Sequence, residues 1–267
     1  MAVQRIITSP HKFKERIMAF GDAGTGKSSL TLTIARYCPD ATFHIIDGDY
    51  SLSYERLLAT EYADVADRGN VVIYEVEPEW EHISQTLAQI VAEGDMSVDW
   101  LTVDPTSLAW ETVQAWWSDT ILGTDIADHL AHLRKESADT KEYMAAVAET
   151  MQWPAINKQF QQKFYKPYRT WKGHSILATE AKTVGRQQPD DIKKMWAGVG
   201  SMPVGQKNLP FVGATNIYLD HPDKQRWRMT TTKDRGRALI DKVVFTDFAL
   251  DYLVEHAGWE MSIKKGK

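Results

Sequence analysis

Gly21-Asp22-Ala23-Gly24-Thr25-Gly26-Lys27-Ser28 fits the pattern G-x-x-x-x-G-K-[ST], and the rest of the chain can be ordered around it. The spacing has a chemical reason. Glycines let successive backbone N–H groups turn inward and form a nest for phosphate oxygens. The Lys27 ammonium reaches β- and γ-phosphates, and the Ser28 hydroxyl can ligate Mg²⁺. A helix starting here directs the positive end of its dipole at the same point. The flanks agree. Ile17-Met18-Ala19-Phe20 is a short apolar run of the kind that forms a buried strand. From Ser29 onward Leu30, Ile34 and Tyr37 share a helical face, and Pro39 ends it. Strand, glycine loop and helix in succession separate a phosphate site from a glycine-rich turn that binds nothing. The expected nucleotide contacts are Gly21, Asp22, Ala23, Gly24, Thr25, Gly26, Lys27, Ser28 and Ser29.

A chain of 267 residues with a 43% apolar share suits one large α/β domain. The net charge of −5 excludes a globally basic nucleic-acid binder, so any DNA contact must come from a local patch. Cys38 is the only cysteine, which excludes an intrachain disulfide and a cysteine zinc cluster and fits a reducing cytoplasm. It ends the first helix and reads as a packing residue. No apolar run approaches the ~20 residues of a membrane span, and no signal-peptide core is present.

Four more strands are expected at Phe43–Ile46, Val71–Tyr74, Trp100–Asp104 and Ser175–Glu180. Each ends in polar groups: Asp47-Gly48-Asp49, Glu75 and Glu77, Asp104, and Thr179-Glu180. In an open parallel sheet these strand ends face the ligand crevice. Trp100-Leu101-Thr102-Val103-Asp104 has the Walker B form, a buried strand carrying an acidic group to the metal of the phosphate site. Helices are expected over Ser51–Tyr62, from Trp80 to a stop at Gly94, over Leu108–Leu122, and over Asp125–Met151 as one or two pieces. Another runs from Trp153 to Pro167. His129 and His132 in the polar stretch lack a third metal ligand and read as a solvated face.

Lys158, Lys163, Lys166, Arg169 and Lys172 alternate with aromatic rings, as in single-strand binders. An amphipathic helix with a basic solvent face explains them better. Asn157-Lys158-Gln159-Phe160 departs from the guanine-reading N-K-x-D, which argues against a GTPase. Residues 183–210 form one long segment with four glycines and several cations, and a loop of that length is functional or disordered. Strands over 214–219 and 226–232 make a hairpin, followed by Lys233-Asp234-Arg235-Gly236 and an amphipathic helix over 245–257.

The order of elements from about residue 14 to about 240 resembles the RecA-type ATPase core, with the 245–257 helix completing a single domain over 1–267. That resemblance implies a mostly parallel twisted sheet with helices on both faces and a C-terminal antiparallel hairpin. It implies ATP and Mg²⁺ as ligands, with Ser28 and Asp104 at the metal. Ile46-Asp47-Gly48-Asp49-Tyr50-Ser51-Leu52 resembles the segment in which the family carries its water-activating glutamate. Asp49 falls on that position, one methylene shorter, with Glu75 or Glu77 as alternatives. Thr179 or Glu180 falls near the γ-phosphate sensor, usually a glutamine. Residues 183–210 fall where the family has a DNA-binding loop. Lys233 and Arg235 resemble the basic pair that reaches a neighbouring subunit's γ-phosphate, although a surface charge cluster reads almost as well.

In size the chain resembles compact phage-type single-strand annealing and recombination ATPases. The expectation is therefore an ATPase acting on single-stranded DNA in recombination, annealing or repair. It would be a homo-oligomer, ring or filament, in the cytoplasm, the host's if viral, and without a membrane partner. The alternatives are a small-molecule kinase, a helicase or packaging-type motor, and a nucleotide-gated adaptor.

Overall fold

The computed structural model describes residues 14–48, 52–94, 98–223, 226–235 and 243–245. The strands are β1 (Arg16–Gly21), β2 (Phe43–Asp47), β3 (Val71–Glu75), β4 (Trp100–Asp104), β5 (His174–Thr183), β6 (Ser201–Pro203), β7 (Thr215–Asp223), β8 (Arg226–Asp234) and β9 (Val243–Phe245). Eight of them lie in one sheet in the order β3-β2-β4-β5-β1-β7-β8-β9, and β6 pairs with the end of β5. From β3 to β7 all neighbours are parallel. The β7–β8 hairpin and β9 extend the sheet antiparallel.

Alternation along the strands builds two cores. Met18 and Phe20 of β1 face one side, and Ile17 and Ala19 face the other, all buried. The Ile17 side is covered by α1 (Lys27–Tyr37), α2 (Ser53–Leu58) and α3 (Ala63–Arg68), through Leu30, Ile34, Tyr54, Tyr62 and Val65. The Phe20 side is covered by α4 (Trp80–Glu93), α5 (Thr106–Trp117), α8 (Trp153–Phe160) and α9 (Lys166–Thr170), with the rings of Trp80, Phe160, Phe164 and Trp171 at its centre. Between α5 and α8 the chain runs through α6 (Ile126–Glu136) and α7 (Thr140–Met151). This is the mostly parallel, doubly covered sheet expected, with its antiparallel C-terminal hairpin.

Three expectations are corrected. The helix expected to run to Tyr62 ends at Leu58, because the chain turns at Ala59–Tyr62 before a second short helix, α3, begins at Ala63. Pro167 does not end a helix. A π-helical turn at Gln161–Tyr165 hands the chain to α9, and the helical path continues through Pro167 to Thr170. Residues 183–210 are not one loop. They contain α10 (Asp190–Met195), β6 and the start of α11 (Leu209–Val212), with Trp196 buried against Phe20 at 5.3 Å. The rings of 160–171 belong to the core and the cations beside them are exposed, as the amphipathic reading has it. Phe245 closes β9, and residues 246–257, read as helical, lie outside the described residues.

Candidate nucleotide-binding site

The glycine loop leaves β1 and enters α1 as the sequence requires. Gly24 and Gly26 take φ of +76° and +94°, a left-handed region open to glycine at no steric cost. Thr25 pins the turn, its hydroxyl donating to the Asp22 carbonyl at 2.8 Å. Lys27 folds over the loop and donates to the carbonyls of Gly21 and Asp22, each at 2.9 Å. Position N1 of α1 is therefore occupied by a cation beside backbone N–H groups and a helix N-terminus, which suits an anion.

Strand order brings the acidic group in. β4 is separated from β1 by β5, yet Ser28 Oγ donates to Asp104 Oδ2 at 3.1 Å, because α1 carries its first turn back across the sheet ends. Asp104 is 8% exposed, and Asp47, in register with it on β2, is 5% exposed. A hydroxyl and carboxylates are hard oxygen donors, a set that fits Mg²⁺. Ser28 and Asp104 would hold such an ion, which would supply positive charge to a phosphate-bearing ligand.

The same Asp104 Oδ2 accepts a second hydroxyl, that of Tyr54, at 2.8 Å. Tyr54 is 1% exposed, and burial, followed by the charge of Asp104, holds its phenol well above the ordinary tyrosine range, so it stays a donor. Nothing in the sequence singles out Tyr54, which reads there as one apolar position of a helix.

Glu180 lies next to Gly21 in register, where the pairing of β5 with β1 ends and β5 runs on to Thr183. Its carboxylate accepts from the Ser107 hydroxyl at 2.6 Å. Glu111, one turn further along α5, has its carboxyl pushed up by burial and then by the charge of Glu180. Thr179 is fully buried and donates to the Val204 carbonyl, so it ties β5 to the segment after β6. Glu75 ends the edge strand β3, one strand beyond Asp47, and Glu77 faces His82 Nδ1 at 2.9 Å. Asp49 lies outside the described residues.

Lys233 and Arg235 differ. Lys233 Nζ donates to the carbonyls of Pro210 and Gly213, at 2.7 and 2.5 Å, and so clamps α11 to β8. Burial, with Arg235 adding repulsion, lowers its pKa to about 8. Arg235 is exposed. On β7, the hairpin strand beside β1, His221 Nε2 lies 2.8 Å from the Gly24 carbonyl and its ring 4.8 Å from that of Trp227, a contact with the phosphate loop that no sequence signal announces. Cys38 is a packing residue, its thiol pushed up to about 12 by burial. No described helix is long and apolar enough to cross a membrane.

No family model and no curated protein matches the chain in sequence. Solved structures do match. The RadB recombinase aligns with a TM-score of 0.51 at 12% identity, over 86% of this chain and 86% of that one. An ATPase from the type III secretion system of pathogenic bacteria aligns with a TM-score of 0.44 at 12% identity, over 78% of this chain and 51% of that one. A DnaB-like replicative helicase aligns with a TM-score of 0.44 at 10% identity, over 88% of this chain and 56% of that one. The glycine loop, the Ser28–Asp104 contact, the strand order and the RadB alignment agree: the chain has the RecA-like P-loop ATPase fold.

Proposed function

We propose that the chain binds and hydrolyses ATP and couples hydrolysis to assembly on single-stranded DNA in recombination, annealing or repair. The observation that carries the nucleotide half is the 3.1 Å contact between Ser28 and Asp104, which joins the phosphate loop to an acidic strand end across an intervening strand. In this reading Lys27 leaves the Gly21 and Asp22 carbonyls for the β- and γ-phosphates. Ser28 and Asp104 hold Mg²⁺. Asp49, two residues beyond the end of β2, orients the attacking water, and Glu180 sits beside the γ-phosphate with Ser107 fixing its rotamer. Arg235 reaches the site of a second copy of the chain in a ring or filament, while Lys233 braces the strand that presents it. Cations supplied in trans stabilise charge on the transferring phosphoryl group. The DNA half rests on Arg186, Lys194 and Lys207, exposed around β6, in a segment hydrogen-bonded through Val204 to both Thr179 and Glu180. RadB, whose fold this chain shares, is described as a recombinase, which agrees with that setting.

The test is ATP turnover with and without single-stranded DNA, with Lys27→Ala as control. Turnover should rise at least severalfold with DNA and fall by two orders of magnitude or more, roughly, in the variant, since the lysine charge at the phosphates is lost. Turnover indifferent to DNA would reassign the chain to a small-molecule kinase or another motor. Tight ATP binding without turnover would make it a nucleotide-gated adaptor.

A further inference from the structure

Asp104 Oδ2 receives two hydroxyl donors, Ser28 from the phosphate loop and Tyr54 from α2. We propose that Tyr54 is a positioning residue for the metal site, its phenol holding the Asp104 carboxylate in the rotamer that meets Ser28 and so tying α2 to the Mg²⁺ ligands. The inference rests on the nucleotide-binding reading above.

Three features of the structure point this way. The Tyr54 ring is 1% exposed and belongs to the buried cluster that also holds Leu30 and Ile45, so the hydroxyl is aimed by a fixed body and not by a mobile side chain. A carboxylate that swings away from its second donor presents a different oxygen to the metal, and partners that orient metal ligands in this manner matter nearly as much as the ligands. The third feature is the backbone just before. Leu52 has φ +53° and ψ +26°, a left-handed conformation that L side chains rarely adopt, and it is the residue from which α2 begins. Such an outlier persists only where the surroundings over-determine it. Here it starts α2 so that its second residue, Tyr54, is buried against Asp104. In the sequence Leu52 stands three positions after Asp49, so the tyrosine that holds the metal ligand follows closely on the carboxylate proposed to orient water.

The alternative is an ordinary core tyrosine whose hydroxyl happens to find an acceptor. Tyr54→Phe separates the two, because it keeps the ring and removes only the donor. Binding of a fluorescent ATP analogue is followed while Mg²⁺ is titrated, and again in EDTA. The proposal expects the Mg²⁺ midpoint to rise about tenfold in the variant, with metal-free affinity unchanged. An unchanged midpoint overturns it. Loss of metal-free binding in the variant makes Tyr54 a packing residue and overturns it as well. Wild-type protein that binds the analogue without any response to Mg²⁺, or not at all, overturns the metal-site reading itself and this inference with it, an outcome distinct from a wild type that responds beside a variant that responds identically.

Discussion

A methyl group added at Gly21 would sit 2.3 Å from the Leu219 carbonyl oxygen of β7 and 2.5 Å from Thr25 Oγ1, whereas one added at Gly24 meets nothing within 4 Å. The two glycines of one motif are therefore needed for different reasons. Gly21 allows backbone to approach backbone, and Gly24 supplies a left-handed turn. Gly21→Ala must push β1 and β7 apart, an overpacking cost of about 3 kcal/mol. Gly24→Ala has space and costs only the left-handed conformation, about 1 kcal/mol. Urea denaturation of the two variants checks this, and equal losses would mean that space at Gly21 is not the constraint. At this scale the turn of the glycine loop was legible in the sequence, because it is local: within eight consecutive residues Gly24 and Gly26 take the left-handed conformations that the motif requires. The Ser28–Asp104 pair was legible as well, since both belong to recurrent patterns. Tyr54, Ser107 and His221 were not. Each meets the site through a contact to a residue 50, 73 or 197 positions away, and no spacing encodes such a contact.

Among the elements, β5 shows how a strand end senses acid. His174 opens β5, stacks on Trp100 at 4.8 Å and accepts the Glu15 N–H on Nδ1 at 3.0 Å. Burial first, then the charges of Arg16 and Lys14, lower its pKa to about 4. In the unfolded chain it takes up a proton near pH 6.5. Between pH 6.5 and 4 the unfolded state thus holds more protons, and stability is lost as pH falls through that window. The full effect is about 3 kcal/mol. His174→Asn keeps a side-chain acceptor for Glu15 but cannot titrate. Denaturation at a series of pH values should find the variant less stable at pH 7.5 and flatter between pH 6.5 and 4. A slope equal to wild type would place the acid sensitivity elsewhere. The parallel strands themselves were readable, β4 to the residue, because a buried strand is an apolar run bounded by turn residues. What failed were the elements shaped by packing. β6 is three residues paired to an extension of β5, and the passage of a helix through Pro167 depends on a π turn whose gain comes from burying Phe164 and Tyr165.

Over the whole molecule the energy is unevenly held. β4 is buried at every residue, and the helical segments packed over the sheet carry most of the aromatic core, through Trp80, Phe160, Phe164, Tyr165 and Tyr168. α6 has no buried residue at all, and it hangs between a π turn at Ser118–Leu122, after α5, and α7. What holds it is local. Asp125 Oδ1 accepts from Ala127 N–H at 2.7 Å and from Asp128 N–H at 3.3 Å, satisfying donors that the first turn leaves unpaired. Asp139 caps α7 in the same way, through Glu142 N–H at 2.9 Å. A region with few buried contacts opens separately from the core, at a free energy below that of global unfolding. Hydrogen exchange in α6 should accordingly run orders of magnitude faster than in β4. Asp125→Ala removes a cap contributing about 1 kcal/mol, so exchange across 126–136 should quicken about fivefold. The β4 amides should not change, because they exchange only when the sheet opens and the cap contributes nothing to that step once α6 is already open. If β4 quickens in step with α6, the two belong to one cooperative unit. The sheet that carries Asp104 would then depend on the excursion between α5 and α8, and the phosphate site could not be considered apart from it.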